Sequence, residues 1–176
     1  SKKYTVIETT RTQKKAESLE KKFNNPKLST FVVEDATKKD AYTDVFKKHD
    51  KEIVHVIHTA FPLSLDHSDF QTHIIDPAVD WIKCLLNAVT QYGSTTVKNI
   101  VLTSGALVMM DLTKMGDTGV IFDEESWCPS TQEYAGMNIF AALGVAKKLA
   151  EEEGWKFQDE NKLTTEISFT SVLPSY

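Results

Sequence analysis

The feature that most constrains the fold is a regular alternation between short runs rich in β-branched residues and longer stretches with helical periodicity. Strands joined by helical crossovers run parallel, because each crossover returns the chain to the same end of the sheet. The predicted strands are 4–7, 28–33, 53–57, 97–103 and 165–173, and the predicted helices are 13–23, 41–48, 70–92 and 137–161. The sequence therefore predicts one α/β domain over 1–176, a Rossmann-like parallel sheet with helices on both faces.

Two places depart from this regular pattern. Pro77 is expected to kink the early part of the long helix, and Gly93 is expected to end it. The stretch 111–131 has neither helical nor strand periodicity, and irregular segments of that length in compact domains are often functional. We therefore expect this segment to border a site.

Charge and composition exclude several classes of protein. The chain has 176 residues and a net charge of -5 at pH 7, which disfavours a nucleic-acid-binding surface. No apolar run approaches the roughly 20 residues that cross a bilayer, and no signal-peptide core follows Ser1. Cys84 and Cys128 do not suggest a disulfide scaffold. We expect a cytoplasmic protein that binds neither nucleic acid nor membrane.

A metal site is not expected. Asp66, His67, Asp69 and His73 lie close together in sequence, and Asp69 and His73 share one side of a helix. No set of three ligands among them has the spacing of a zinc or iron site.

A nucleotide site in such a sheet lies beyond the carboxyl ends of the strands. A dinucleotide site also needs a glycine-rich turn after the first strand, and the sequence has no such turn. Arg11 and Lys15 lie four residues apart at the start of helix 13–23, where a Rossmann unit recognises the 2′-phosphate of NADP. A bound anion would relieve the repulsion between these cations and the helix dipole. The alternative is that both are ordinary surface cations.

Several segments resemble the extended short-chain dehydrogenase/reductases, and among them the fungal NADPH-dependent carbonyl (methylglyoxal-type) reductases and the dihydroflavonol reductases. The matching segments are Asp35-Ala36, His58-Thr59-Ala60-Phe61-Pro62, Val101-Leu102-Thr103-Ser104, Phe122-Asp123-Glu124-Glu125-Ser126-Trp127 and Lys147-Lys148-Leu149-Ala150-Glu151. The resemblance extends over nearly the whole chain. It implies NADP(H) as cofactor, with contacts from Arg11, Lys15, Asp35, Ala36, Thr59, Ala60 and Lys147.

The resemblance also implies a catalytic arrangement that this sequence lacks in part. In the family a serine and a tyrosine bind the substrate carbonyl, the tyrosine donates the proton, and a lysine lowers the pKa of the tyrosine. Lys147 matches the lysine, but Leu143 stands at the tyrosine position and Gly105 at the serine position. Ser104 is expected to face the other way. Tyr134, expected on the irregular segment, is an alternative proton donor.

Lys147 also has a simpler interpretation, as one of a pair of surface lysines beside Glu151 and Glu152. A further expectation is that the family's first strand, glycine turn and first helix have no counterpart here. That strand lies in the middle of the usual sheet, so a protein partner, self-association or a rearranged sheet is expected to fill its place. The favoured hypothesis is a pseudoenzyme that acts as an interaction or structural module. The alternative is a carbonyl reductase seen as a partial or diverged chain.

Overall fold

The computed structural model describes residues 4–61, 69–161 and 166–175. The strands are β1 (Val6–Thr10), β2 (Leu28–Val32), β3 (His55–His58), β4 (Asn99–Thr103) and β5 (Ser168–Val172). The α-helices are α1 (Gln13–Phe23), α2 (Thr43–Lys48), α3 (Asp76–Ala88), α4 (Gln132–Gly136) and α5 (Ile139–Asn161). Wider, π-helical turns precede and follow α3 at Gln71–Ile75 and Val89–Gly93. Short 3₁₀ turns span Ala106–Val108 and Leu112–Lys114.

All strand pairs in the described residues are parallel. β1 pairs with β2, with Val6 opposite Leu28, and β4 lies between β3 and β5. The strands therefore form a two-stranded and a three-stranded sheet, with helices packed around them. The expected α/β class with parallel strands is confirmed.

One hydrophobic core joins the two sheets. Val33, which follows β2, belongs to the same buried cluster as Ile100 of β4 and Ile82 of α3. A second cluster joins the first half of α5 to the turn before α3 and to Tyr134 on α4. Cys84 and Cys128 are buried free thiols, in agreement with the absence of a disulfide scaffold.

The strands that border the gap between the two sheets carry exposed apolar side chains. Ile57 of β3 is 69% exposed and Val6 of β1 is 42% exposed. Side chains alternate along a strand, so Ile57 faces away from His58, which is buried and contacts Trp81 of α3. The ring of Tyr4 meets the ring of His55 edge-on, with 5.6 Å between their centroids. Helix α3 thus packs in the core that both sheets share, whereas Ile57 on the other face of β3 is open to solvent.

The bounds of β1 and β3 differ from the predicted ranges 4–7 and 53–57. β1 extends through Thr9 and Thr10 because their backbones pair with Phe31 and Val32. Backbone pairing thus decides the strand end, whereas an apolar pattern reports only which side chains are buried.

The helical predictions need two corrections. Pro77 lies in the first turn of α3, where proline is tolerated, directly after the wide turn Gln71–Ile75, and the kink expected from it stays a prediction. The predicted helix 137–161 begins instead at Ile139, because Asn138 Oδ1 accepts hydrogen bonds from the backbone N–H groups of Phe140 and Ala141. Tyr134 belongs to the short helix α4, so its expected place on an irregular segment is wrong.

Among the described residues, no helix has both the length and the apolar character to cross a membrane.

Candidate functional site

The carboxyl ends of β3 and β4 form a small cavity with α3 and α5. Its lining is mostly apolar, with a few polar groups that converge on it. The lining includes His58, Phe61, Trp81, Ser104 and Lys147. A cavity at the carboxyl ends of parallel strands is where ligands bind in α/β sheets.

Lys147 brings the positive charge into this cavity. Its Nζ donates a hydrogen bond to the carbonyl oxygen of Ser104 at 3.0 Å and lies 4.5 Å from the centroid of the Phe61 ring. Burial lowers the pKa of Lys147, and the negative charge of Glu151 opposes that shift. The interpretation of Lys147 and Glu151 as surface residues is wrong, because Lys147 is half-buried and Glu151 is buried.

His58 is the second basic group of the cavity. It is buried, and its ring meets the Trp81 ring edge-on at 6.0 Å. Burial and, secondarily, the charge of Lys147 lower the pKa of His58 to about 4. The imidazole is therefore neutral at pH 7 and offers one donor and one acceptor.

The backbone at Gly105 passes beside the Lys147 side chain. A β-carbon added at Gly105 would lie 3.6 Å from Cδ and 3.7 Å from Cε of Lys147, which is ordinary contact. The backbone there is extended, with φ of 178°. A serine would therefore fit at this position. The neighbouring Ser104 Oγ is buried without a hydrogen-bond partner among the described residues.

Leu143 lies one helical turn before Lys147 on α5. Its side chain is partly buried and packs against the second hydrophobic cluster. It presents no hydrogen-bonding group beside Lys147. The position at which the family resemblance implies a proton donor is therefore apolar.

Tyr134 has a different environment from the one its alternative role requires. Its hydroxyl accepts a hydrogen bond from the Leu112 N–H and donates one to the Met110 carbonyl, both at 3.0 Å. Burial raises the pKa of Tyr134. This hydroxyl holds the segment after β4 in place, and these contacts disfavour proton donation to a substrate.

The remaining expected cofactor contacts lie at the carboxyl ends of β1, β2 and β3. Arg11 and Lys15 are exposed at the start of α1, where Thr12 Oγ1 accepts a hydrogen bond from the Lys15 N–H. Asp35 accepts hydrogen bonds from the backbone N–H and the hydroxyl of Thr37, at 3.0 and 2.6 Å, which lower its pKa. Ala36 is buried in the core.

Thr59 and Ala60 are exposed directly after β3, and Pro62 lies outside the described residues. Arg11, Lys15 and Asp35 thus lie on the β1–β2 side of the gap between the sheets. Lys147 and Gly105 lie together on the β3–β4 side.

No group of three potential metal ligands occurs within 4–61, 69–161 and 166–175. Asp66 and His67 lie outside those ranges. Asp69 Oδ1 accepts hydrogen bonds from the backbone N–H groups of Gln71 and Thr72, at 2.9 and 3.4 Å, and so caps the turn that follows.

Sequence reasoning missed a buried polar pair next to the cavity. The indole Nε1 of Trp81 donates a hydrogen bond to the hydroxyl of Tyr42, and burial raises the pKa of Tyr42 to about 12. The burial of Trp81 could have been predicted from its place on the apolar side of a helix. Its hydrogen bond to Tyr42 could not, because the two residues are distant in sequence.

No protein-family model matches the chain. It is 40% identical to an NADPH-dependent methylglyoxal reductase of Saccharomyces cerevisiae over 98% of this chain and 51% of that relative. It is 31% identical to a putative NADPH-dependent methylglyoxal reductase of Candida albicans over 90% of this chain and 48% of the relative. The chain thus spans about half the length of the curated relatives it matches.

Solved structures give the same result. The crystal structure of yeast methylglyoxal/isovaleraldehyde reductase complexed with NADPH matches with a TM-score of 0.93 at 39% identity. That match covers 99% of this chain and 52% of the solved chain. A Candida albicans reductase of the same type, also in complex with NADPH, matches with a TM-score of 0.90 at 32% identity.

Proposed function

Because the chain is homologous over nearly its whole length to yeast NADPH-dependent methylglyoxal reductases of the short-chain dehydrogenase/reductase type, we propose that it is a reductase-like domain that does not reduce carbonyl compounds as it stands. The observation that carries the proposal is Leu143, an apolar side chain one turn before Lys147. Carbonyl reduction needs a proton donor and hydrogen bonds to the developing oxyanion. Leu143 and Gly105 supply neither.

Part of the site suits NADP(H), which supplies the hydride in reductases when it is bound. Arg11 and Lys15 are exposed cations at a helix N-terminus, a donor set that suits a 2′-phosphate. Thr59 and Ala60 are open beside the gap, and Lys147 would hold the nicotinamide ribose. Asp35 suits the nucleotide less well, because its carboxylate is engaged by Thr37.

The alternative is an NADPH-dependent carbonyl reductase of which this chain forms a part. The observation that favours it is the cavity, in which Lys147 is retained and a serine side chain would fit at Gly105. The half-length match to the relatives is consistent with this alternative as well.

The experiment is a fluorescence titration with NADPH, with an assay of methylglyoxal and isovaleraldehyde reduction beside it. We expect binding without turnover. We also expect Arg11→Ala with Lys15→Ala to weaken NADPH binding about tenfold and to leave NADH binding unchanged, because only NADPH carries the 2′-phosphate. Lys22→Ala, which removes a cation from the last turn of the same helix, is the matched control. Turnover above the rate without protein would overturn the non-catalytic proposal.

A second candidate function is that of an interaction module, and the gap between the sheets favours it. Among the described residues β1 pairs with β2 alone and β3 with β4 alone, so each has an edge without a partner strand, and Val6 of β1 and Ile57 of β3 are exposed. Strands of parallel sheets are normally covered on both faces. We propose that this gap accepts one extended apolar segment, parallel to β1 and β3, by β-augmentation.

A further inference from the structure

Helix α5 carries a carboxylate that is almost fully withdrawn from solvent. Glu151 lies four residues after Lys147 and is 4% exposed. Its Oε1 accepts a hydrogen bond from Trp155 Nε1 at 3.2 Å, whereas its Oε2 is buried without a hydrogen-bond partner in the described part of the chain. A buried carboxylate is costly unless an opposite charge compensates it. A compensating cation is therefore expected close to Glu151.

Three other glutamates of α5 each form an ion pair with a different lysine. These pairs are Glu152 with Lys148 at 3.9 Å, Glu153 with Lys83 of α3 at 3.1 Å, and Glu160 with Lys156 at 4.0 Å. Lys147 instead directs its Nζ to the neutral carbonyl of Ser104 and over the Phe61 ring. Neither contact supplies a full negative charge to a cation that burial destabilises.

We propose that Glu151 is the fixed counter-charge that keeps Lys147 cationic and held against Ser104, and that it is thereby a positioning residue of the site. Residues four apart on a helix lie on one side, with about 5–6 Å between their β-carbons. Within the described residues, the other titratable group that faces Lys147 is His58 of β3, which is neutral at pH 7. The inference rests on the proposed function only in taking Lys147 as the cation of the site.

The test measures the pH dependence of each lysine's reactivity. The whole chain is labelled with acetic anhydride in short pulses across pH 7 to 11, and peptides that contain Lys147 and Lys148 are quantified by mass spectrometry. In Glu151→Gln, we expect the midpoint for Lys147 to fall by about one pH unit, a tenfold increase in neutral amine at a given pH. The glutamine oxygen still accepts the Trp155 hydrogen bond, so the packing is preserved.

Glu152→Gln is the matched control, because it neutralises the next acid, which pairs with Lys148. We expect it to leave the midpoint for Lys147 unchanged. A purely structural role of Glu151 would change stability and leave the midpoint alone. An unchanged Lys147 midpoint in Glu151→Gln, or an equal fall in both variants, would overturn the proposal. This readout does not depend on NADPH, so the proposed function can fail separately.

A second variant covers the case in which Glu151→Gln does not fold. In Lys147→Met, the buried Glu151 carboxylate loses its counter-charge, so we expect a lower urea-denaturation midpoint than in Lys147→Arg, which keeps the positive charge. Equal midpoints in the two variants contradict the inference.

Discussion

His58 and Lys147 place two basic side chains in one small cavity, and their charges are interdependent. Lys147 keeps its charge through the Ser104 carbonyl, the Phe61 ring and Glu151. His58 is buried, and the positive charge of Lys147 further disfavours its protonation. The cavity therefore contains one cation and one neutral imidazole at neutral pH. Acidification adds a second charge there only at a considerable cost in folding free energy.

That cost is measurable. Folded His58 takes up a proton near pH 4, whereas the unfolded chain does so near 6.5, so the unfolded state binds more protons between these values and stability falls as the pH falls. Between pH 7 and pH 5, His58 should contribute about 2 kcal/mol of the loss in unfolding free energy. Urea denaturation at both pH values should show this loss reduced by that amount in His58→Gln.

The control for this prediction is His55→Gln, which changes the exposed histidine on the other face of the same strand. It should leave the pH dependence of the wild-type chain in place. Parallel pH profiles of the wild type and His58→Gln would show that burial of His58 does not govern acid stability.

At the residue scale, the sequence predicts which residues occupy the positions of the candidate site. Lys147, Leu143 and Gly105 were identified by matching the motif of the family that the sequence resembles, and in the structure the backbone at Gly105 passes beside the Lys147 side chain. The burial of Glu151 was not predicted, because Glu151 and Glu152 are adjacent glutamates in the same helix and the local sequence does not show which of them faces the core. Only the rotation of α5 about its axis separates them, and tertiary packing sets that rotation.

At the element scale, α5 packs directly on β5 through a glycine. Gly154 lies in the interior of α5, where glycine is about 1 kcal/mol less favourable than alanine. A β-carbon at this position would overlap the ring of Phe169, which also meets the Trp155 ring edge-on at 4.9 Å. The close approach of helix and strand therefore requires a residue without a side chain.

Gly154→Ala should accordingly destabilise the chain despite its better helix propensity. We expect a loss of about 1–3 kcal/mol in unfolding free energy, since the Phe169 ring must move within a packed core. Gly136→Ala is the matched control, because no atom lies within 4 Å of its added β-carbon. It should be neutral or stabilising by up to about 1 kcal/mol. Thermal or urea denaturation distinguishes the two, and a stabilising Gly154→Ala would contradict the packing described.

Helices were predicted more closely than strands. The bounds of α1, Gln13–Phe23, agree with the predicted 13–23 because capping residues and periodicity are local signals. The ends of β1 and β3 depend on a partner strand distant in sequence, which a local pattern does not contain. Helix α4 was not predicted, and the predicted start of α5 at 137 is two residues early, because the asparagine that caps α5 lies within the predicted helical range.

At the scale of the whole molecule, the two sheets share a core on one side only. α3 and α5 cover the inward face, where Ile100 is 0% exposed, while Ile57 is open on the other face. Both isoleucines lie in apolar strands with nearly the same local pattern. The local pattern does not distinguish them, and the structure separates them by what packs on each face.

This asymmetry predicts opposite outcomes for the same substitution. Ile57→Lys should change the unfolding free energy of the chain alone by less than about 0.5 kcal/mol, because its side chain is already in solvent. Ile100→Lys should cost about 4 kcal/mol or more, since it buries an unpaired charge. Urea denaturation measures both. A large loss in Ile57→Lys would mean that the open face is covered in solution.

The gap between β1 and β3 also bears on how cooperatively the chain unfolds. In the described residues, the unit of β1, α1 and β2 joins the rest through side-chain packing on a shared core, without a strand ladder across the gap. Cooperative unfolding units tend to coincide with such supersecondary motifs. The β1–α1–β2 unit should therefore open at a lower free energy than the sheet of β3, β4 and β5. The half of the candidate site that carries Arg11 and Lys15 is then its more dynamic half, and the half that carries Lys147 is its more rigid one.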